Sequence, residues 1–460
     1  MNETPFDLLV VGGGPAGAMT ATFAARSGLS VLLVDRRPGG ASGGGEETLV
    51  PAVRPLLARL GIDRLFAAQD RSSPAQHRAY WGGSTPSERT GDQRDLQVSR
   101  PALDEALRQE ARSHGVTVVE GVVHGSVDED VVSVVSTTGS QGVRPRRVVV
   151  ATGRLVPPSL TSTAIAEEGP KSVALTSTSD APPAAFDGNG IEAVPAGWWW
   201  WIRSRTGGAS LTLFCDGDEL RARGTDEIWR ESIAASSGPA KTWVEPVGGG
   251  TLVTPRRREP AGRAWLVGDA ASSIDPLSSQ GVEKGLASAE RVALAVITAQ
   301  REPALEADLR QHLIDWETGL FRAHARRASE TYHSEERFVD RAFWRARRLA
   351  HAKPASMAAA SAVVSGRFRL SPRLRAAPTF RPRGDSLRSV TGYALDGAPP
   401  IDRVGPLPIE DLIAAARPGG TLEGIVERAG DQPALAGWRR EDVRFAFTQM
   451  LHRGWLVSAD

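Results

Sequence analysis

The 460-residue chain has one cysteine, Cys215, four methionines and three tyrosines. A single thiol excludes an internal disulfide framework and a cysteine-rich zinc site, and no metal site is expected. Lysine is nearly as scarce. Of 55 basic residues only Lys171, Lys241, Lys284 and Lys353 are lysines, so chemistry that needs an ammonium group has four candidates. No run of about 18 apolar residues occurs, which predicts no membrane span. The N-terminus starts polar and passes into an apolar strand without a secretory pattern. A net charge of +1 gives no global field to hold nucleic acid or an anionic membrane surface. With 41% hydrophobic and 24% charged residues the balance is that of a globular protein. The expectation is a soluble, cytoplasmic chain of more than one unit.

Along the chain, residues 7–11 are apolar, Gly12-Gly13-Gly14-Pro15-Ala16-Gly17 breaks the run, residues 15–27 have helical character and residues 30–34 read as a second buried strand. Residues 39–45 are nearly all glycine and serine and read as a loop. Helices are expected at 55–60 and 100–114, and strands at 116–119, 131–135 and 148–151. Residues 155–190 carry no clear period. Residues 198–202 and 210–214 read as a hairpin across Thr206-Gly207-Gly208. A strand at 264–267 and a helix at 281–298 follow, then an arginine-rich helical stretch at 305–350. Residues 366–390 hold Gly, Pro and Arg without periodicity and suggest a linker. The tail reads as three short helices with a β-like end, the second capped by Thr421, which resembles a winged-helix unit. The arginines from 322 to 388 read as solvated helix surface or as a docking face for an acidic partner.

The glycine run sits where a dinucleotide needs it, after a strand and at the start of a helix. Gly12 makes the tight turn, Gly14 lets the backbone approach a pyrophosphate, and Gly17 allows close helix–strand packing. The helix start at Pro15 and Ala16 supplies free N–H groups and partial positive charge. Asp35 ends the second strand, where a carboxylate can accept hydrogen bonds from a ribose, with Arg36 beside it.

A second run, Leu266-Val267-Gly268-Asp269-Ala270-Ala271, continues into Asp275-Pro276-Leu277-Ser278-Ser279-Gln280-Gly281-Val282. This resembles the second fingerprint of FAD-dependent hydroxylases and halogenases. The resemblance implies that Gly268 and Asp269 meet the ribityl chain, and that residues 276–282 (Pro276, Gln280, Gly281 and Val282 among them) lie beside the isoalloxazine ring. Gln97-Val98-Ser99-Arg100 resembles a third landmark of the family, with Gln97 or Arg100 facing the cofactor. Gly45-Glu46-Glu47-Thr48-Leu49-Val50-Pro51 resembles the family's loop near the flavin, with Glu47 as a contact.

Trp198-Trp199-Trp200-Trp201-Ile202-Arg203 resembles the W-x-W-x-I-P motif of flavin-dependent halogenases through Trp198, Trp200 and Ile202, with Arg203 in place of proline. On a strand these three share one face, either as core or as an aromatic wall to a substrate site. His77 and Ser279 are further candidates for that site, and no general base is assigned. The lysine that halogenases need is missing from the matching stretch around Gln76-His77-Arg78-Ala79-Tyr80-Trp81. The glutamate of tryptophan halogenases is replaced by Ser278. The implied activity therefore moves from halogenation to hydroxylation, by way of the flavin C4a-hydroperoxide that the two groups share. Within the superfamily the chain is similar to flavoprotein monooxygenases that hydroxylate a precursor tryptophan in tryptophylquinone biogenesis, through residues 47–60, Pro195-Ala196-Gly197-Trp198-Trp199, residues 275–282, Tyr332-x-x-Glu335-x-Arg337-Phe338 and Phe343-Trp344.

The expected fold is α/β. Residues 1–365 form an FAD-binding Rossmann-like domain of the aromatic hydroxylase and halogenase type, with an inserted antiparallel substrate sheet at about 155–260 and a helical segment at about 300–365. A linker at 366–390 leads to a small winged-helix-like domain at 391–460. The expected cofactor is FAD, with O2 as co-substrate. Ala151-Thr152-Gly153-Arg154 lacks the Asp-Gly pair of many single-component hydroxylases, so electrons are expected from NAD(P)H through a separate flavin reductase. The partner is a peptide or protein precursor carrying the target tryptophan. A halogenase, a flavin-dependent reductase of isoprenoid double bonds, and a binding protein with a vestigial flavin are the rivals.

Overall fold

The computed structural model describes residues 4–36, 45–62, 77–83, 85–89, 96–204, 207–349 and 366–459. Most of the expected loop at 39–45 lies outside them. The chain divides into two units, one of Met1–Gln300 with Leu320–Lys353, the other of Arg301–Gly319 with Pro354–Asp460.

In the first unit Thr4–Val11 lies between Val31–Asp35 and Gly139–Val150, parallel to both. Thr117–His124 extends the sheet beside Val31–Asp35, and Trp265–Leu266 pairs with the end of Gly139–Val150. Leu8, Leu9 and Val10 are fully buried. A central parallel strand is covered on both faces, so it reads as a continuous apolar run. The Pro15–Arg26 helix follows the first strand, and its small residues Ala18, Ala21 and Ala24 are buried.

The second sheet of this unit has seven strands in the order Gly249–Leu252, Ser172–Ser179, Ala209–Asp216, Gly197–Arg203, Asn189–Val194, His77–Tyr80, Ser87–Arg89. The tryptophan strand pairs in the expected register, Trp198 opposite Phe214, Trp200 opposite Thr212 and Ile202 opposite Ser210. The sheet reaches beyond the 155–260 window. His77–Tyr80 joins it parallel to Asn189–Val194, a pairing that no local pattern announces. Residues 155–190 contain two strands, Thr163–Glu168 and Ser172–Ser179. Ser172–Ser179 escapes a period-two pattern because its hydroxyls find partners inside: Thr176 bonds Thr212 at 3.0 Å and Ser177 donates to Pro246 O at 2.6 Å.

In the second unit, the stretch expected as a linker is strand. Arg367–Leu370 pairs with Leu456–Ser458 and Gly420–Thr421, and Arg375–Arg383 pairs with Ser386–Ala394 as a hairpin. Its arginines and prolines occupy exposed or half-exposed positions while Thr379, Phe380 and Leu387 are buried, so charge masked the alternation. The expected boundary at residue 391 falls inside that hairpin. The helices Ile409–Ala416, Leu422–Gly430 and Arg440–His452 enclose a core with Leu412, Ile425, Val426, Phe447 and Met450. Thr421 caps the second helix, its Oγ1 accepting from Gly424 N at 3.2 Å. No helix among the described residues is long and apolar enough to cross a membrane.

Candidate active site

The glycine loop is built by backbone contact. Gly12 N–H donates to Val34 O at 2.8 Å and Ala151 N–H to Val11 O at 2.8 Å, so the ends of three parallel strands converge there. A Cβ on Gly17 would run into the carbonyl oxygen of Gly12, which is the close helix–strand packing the spacing predicts. At Gly14 the opposite holds: a Cβ would meet nothing within 4 Å. Gly14 is also the N-cap of Pro15–Arg26, and no side chain caps the first turn. Open space before an uncapped helix N-terminus is what a pyrophosphate requires. Asp35 stands against this loop, since a Cβ on Gly13 would strike its carboxylate. Arg108 reaches Asp35 at 3.7 Å and donates to Gly13 O at 3.4 Å. Arg36 is exposed beyond the strand.

The second loop meets the first. Gly268 has φ +62, and a Cβ there would lie 2.7 Å from Ala16 Cβ. Asp269 follows, half-buried. Its carboxylate accepts no hydrogen bond from the described residues, and it interacts electrostatically with the buried Arg258 guanidinium. A half-buried carboxylate close to the start of the Pro15–Arg26 helix suits the hydroxyls of a ribityl chain. The residues present therefore fit FAD.

Glu46–Leu49 pairs antiparallel with Leu96–Ser99. This brings the two flavin-loop landmarks together. Arg100 bridges Glu47 at 3.2 Å and Asp104 at 2.9 Å. Burial holds the Glu47 carboxyl above its usual range despite the Arg100 charge. Gln97 turns the other way and donates to Arg203 O, and Ser204 donates to Glu46 at 2.9 Å, so both tie this pair of strands to the end of the tryptophan strand.

Pro276–Ser278 is a 3-10 turn capped by Asp275, which accepts from Leu277 N at 2.9 Å. Ser279 has φ +50 and is the one non-glycine in the left-handed region among the described residues. Such a conformation costs of order 1–3 kcal/mol and persists where surrounding structure imposes it. Gln280 then leads into the Gly281–Arg301 helix, with Val282 half-buried in its first turn.

Of the three strand residues expected at the substrate wall, Trp198 and Ile202 are buried and only Trp200 keeps exposed surface. Trp198 stacks on Phe214 at 4.0 Å and its indole N–H donates to Tyr332 Oη at 3.3 Å. Tyr332 in turn donates to Asp275 at 3.1 Å. The phenol has a single proton, and burial keeps it well above the usual tyrosine range, so the chain runs in one direction, Trp198 to Tyr332 to Asp275. Trp81, Ile191, Leu277 and Phe338 are half-buried on the same face as Trp200. Leu277 belongs to the turn, so this apolar face adjoins it. His77 bonds Asn189 at 2.9 Å on the neighbouring strand and is not in this cluster. Tyr332, Trp81 and Phe338 are not among the site residues to which the sequence points; their grouping depends on the 306–334 helix and on strands far apart in sequence.

Behind this face Glu335 is fully buried. Burial would raise its carboxyl, but hydrogen bonds from Arg337 and the Gly82 N–H outweigh that and hold it low. With Trp81 donating to Thr331 O at 3.0 Å, this fastens the end of His77–Tyr80 to the helix that carries Tyr332.

Comparison with known proteins agrees with this geometry. Residues 6–153 match the family described as FAD binding domain. The chain is 27% identical over 386 residues to a tryptophan 2-halogenase of Chondromyces crocatus, covering 75% of this chain and 71% of the relative. Among solved structures, the fold matches the flavin-dependent halogenase CmlS with TM-score 0.77 at 21% identity, over 100% of this chain and 96% of the other. It matches QhpG, a peptidyl tryptophan dihydroxylase essential for tryptophylquinone cofactor biogenesis, with TM-score 0.71 at 22% identity, over 98% of this chain and 100% of the other. The chain thus carries an FAD binding domain at residues 6–153, shares the fold of the flavin-dependent halogenase and hydroxylase structures, and is an FAD-dependent oxidoreductase.

Proposed function

We propose that this chain is an FAD-dependent monooxygenase that hydroxylates an indole, a tryptophan side chain within a peptide or protein precursor. The observation that carries the proposal is the half-exposed aromatic face of Trp81, Trp200 and Phe338, which adjoins the 275–280 turn through Leu277. Flat apolar rings can stack an indole and exclude the water that would otherwise divert an oxidant.

The helix start at Pro15 and Ala16 takes the pyrophosphate, with Asp35 on the adenosine ribose and Asp269 on the ribityl hydroxyls. The N-terminus of Gly281–Arg301 supplies partial positive charge beside the ring. Bound FAD, reduced by NAD(P)H through a separate reductase, supplies the oxygen-transferring chemistry with O2. Tyr332 and Asp275 hold the turn against the tryptophan strand, so substrate wall and cofactor loop keep one geometry.

The lysines favour hydroxylation over halogenation. Lys171 is at the surface with Asp218 at 3.2 Å, Lys241 is exposed, and Lys284 donates to backbone carbonyls. Lys353 lies outside the described residues. None is directed at the aromatic face among the described residues. Similarity to QhpG supports a peptidyl substrate, and similarity to a tryptophan halogenase supports an indole in either case. The test is mass spectrometry of a precursor peptide co-expressed with this chain. A mass gain in whole oxygen atoms on tryptophan is expected. A chlorine isotope pattern would replace the proposal with halogenation.

A further inference from the structure

Two side chains of the Gly281–Arg301 helix, one turn apart, grip the backbone that carries Asp269. Ser288 Oγ accepts from Gly268 N–H at 3.1 Å. Lys284 Nζ donates to Gly268 O at 2.9 Å and to Ser272 O at 2.6 Å. The ammonium therefore spans both ends of the 268–272 turn, while Ser288 holds the near end from its other side. Lys284 is 2% exposed and Ser288 is fully buried. A cation is expensive to bury, and this chain otherwise takes arginine nearly everywhere it needs positive charge. A lysine here supplies what a planar guanidinium does not, a compact point charge with three rotatable donors.

We infer that Lys284 and Ser288 are positioning residues for FAD: they fix the turn so that Asp269 meets the ribityl chain. This rests on the proposed role of Asp269. Gly268 lies so close to Ala16 that a Cβ there would not fit, and the two helix side chains hold the turn's backbone by hydrogen bonds. Neither residue lies in either flavin fingerprint, and their i, i+4 spacing puts both on the helix face that meets the turn.

The experiment compares dissociation constants of the purified chain for FAD and for ADP. ADP carries the adenosine and pyrophosphate but no ribityl chain, so it reports on the glycine loop and Asp35 alone. Asp269→Ala is expected to weaken FAD roughly tenfold or more and leave ADP within about twofold. Lys284→Met is expected to do the same, because it strips the turn of its charge-assisted bonds. Ser288→Ala is expected to weaken FAD a few-fold with ADP again unchanged, and it decides the matter if Lys284→Met does not fold. Equal losses of FAD and ADP in both helix variants would mean a merely structural role and overturn the inference. So would unchanged FAD affinity in them while Asp269→Ala weakens it. Unchanged FAD affinity in Asp269→Ala would overturn the role of Asp269, and this inference with it.

Discussion

The two faces of the Gly197–Arg203 strand carry the same side chain and do different work. On one face Trp199 and Trp201 are fully buried among Phe186, Trp229, Trp243 and Cys215. Trp199 meets Trp229 edge-on at 4.9 Å and donates to Ser232 O at 3.3 Å. On the other face Trp198 is buried too, but it is stacked and bonded toward Tyr332, and Trp200 stays half-exposed. Period two sorts the residues to their faces; what each face packs against then decides whether an indole is fully or partly buried. A run of identical residues thus carries two messages, and the sequence motif alone does not separate them.

The sharpest break of this contrast is Trp199→Ala. Removing a fully buried indole is expected to cost about 3–5 kcal/mol, read from urea denaturation; a loss below about 1 kcal/mol would dissolve the distinction between the faces. Trp200→Ala is expected to leave the urea midpoint nearly unchanged and to lower oxygenated product roughly tenfold, equivalent to about 1.4 kcal/mol in the barrier, measured by mass spectrometry of the precursor peptide. Tyr332→Phe leaves the Trp198 N–H without its acceptor and removes a donor from Asp275, and is expected to cost about 1–3 kcal/mol. In that variant the near-ultraviolet circular dichroism of the stacked indole should also change. The smallest effect concerns Cys215, on the core face, whose thiol is pushed up to about 12 by burial. The fold favours the protonated thiol, so this contribution to stability is complete below the thiol's ordinary value and is lost as the pH rises from there toward about 12. Cys215→Ala should lack that part of the alkaline decline, measured as urea midpoints of both proteins across the alkaline range.

Local signals in this chain were legible and tertiary ones were not. The glycine run, Asp35 and the 198–202 and 210–214 hairpin each follow from neighbours in sequence, and the observed registers agree. Asp269 was legible through its motif, yet the side chains that hold its turn were not, because Lys284 and Ser288 look like ordinary positions of an alanine-rich helix. Ser172–Ser179 and the Arg375–Arg383 hairpin are masked in the sequence for opposite reasons, one because its hydroxyls are satisfied inside, the other because arginine and proline crowd its outer positions. The aromatic face was half legible. Trp200 stood out, but Trp81 and Phe338 join it only through the pairing of His77–Tyr80 with Asn189–Val194 and the hold of Glu335 on Gly82.

That parallel pairing has a consequence for synthesis. The His77–Tyr80 strand meets its partner only after more than a hundred further residues are made, and the glycine loop waits longer still for the turn at residues 268–272 and the helix behind it. With translation at about 5–20 residues per second, the second loop leaves the ribosome roughly 10–50 seconds after the first. During that interval the glycine loop stands without the second loop, so the site they form together is completed only late in the synthesis of the first unit.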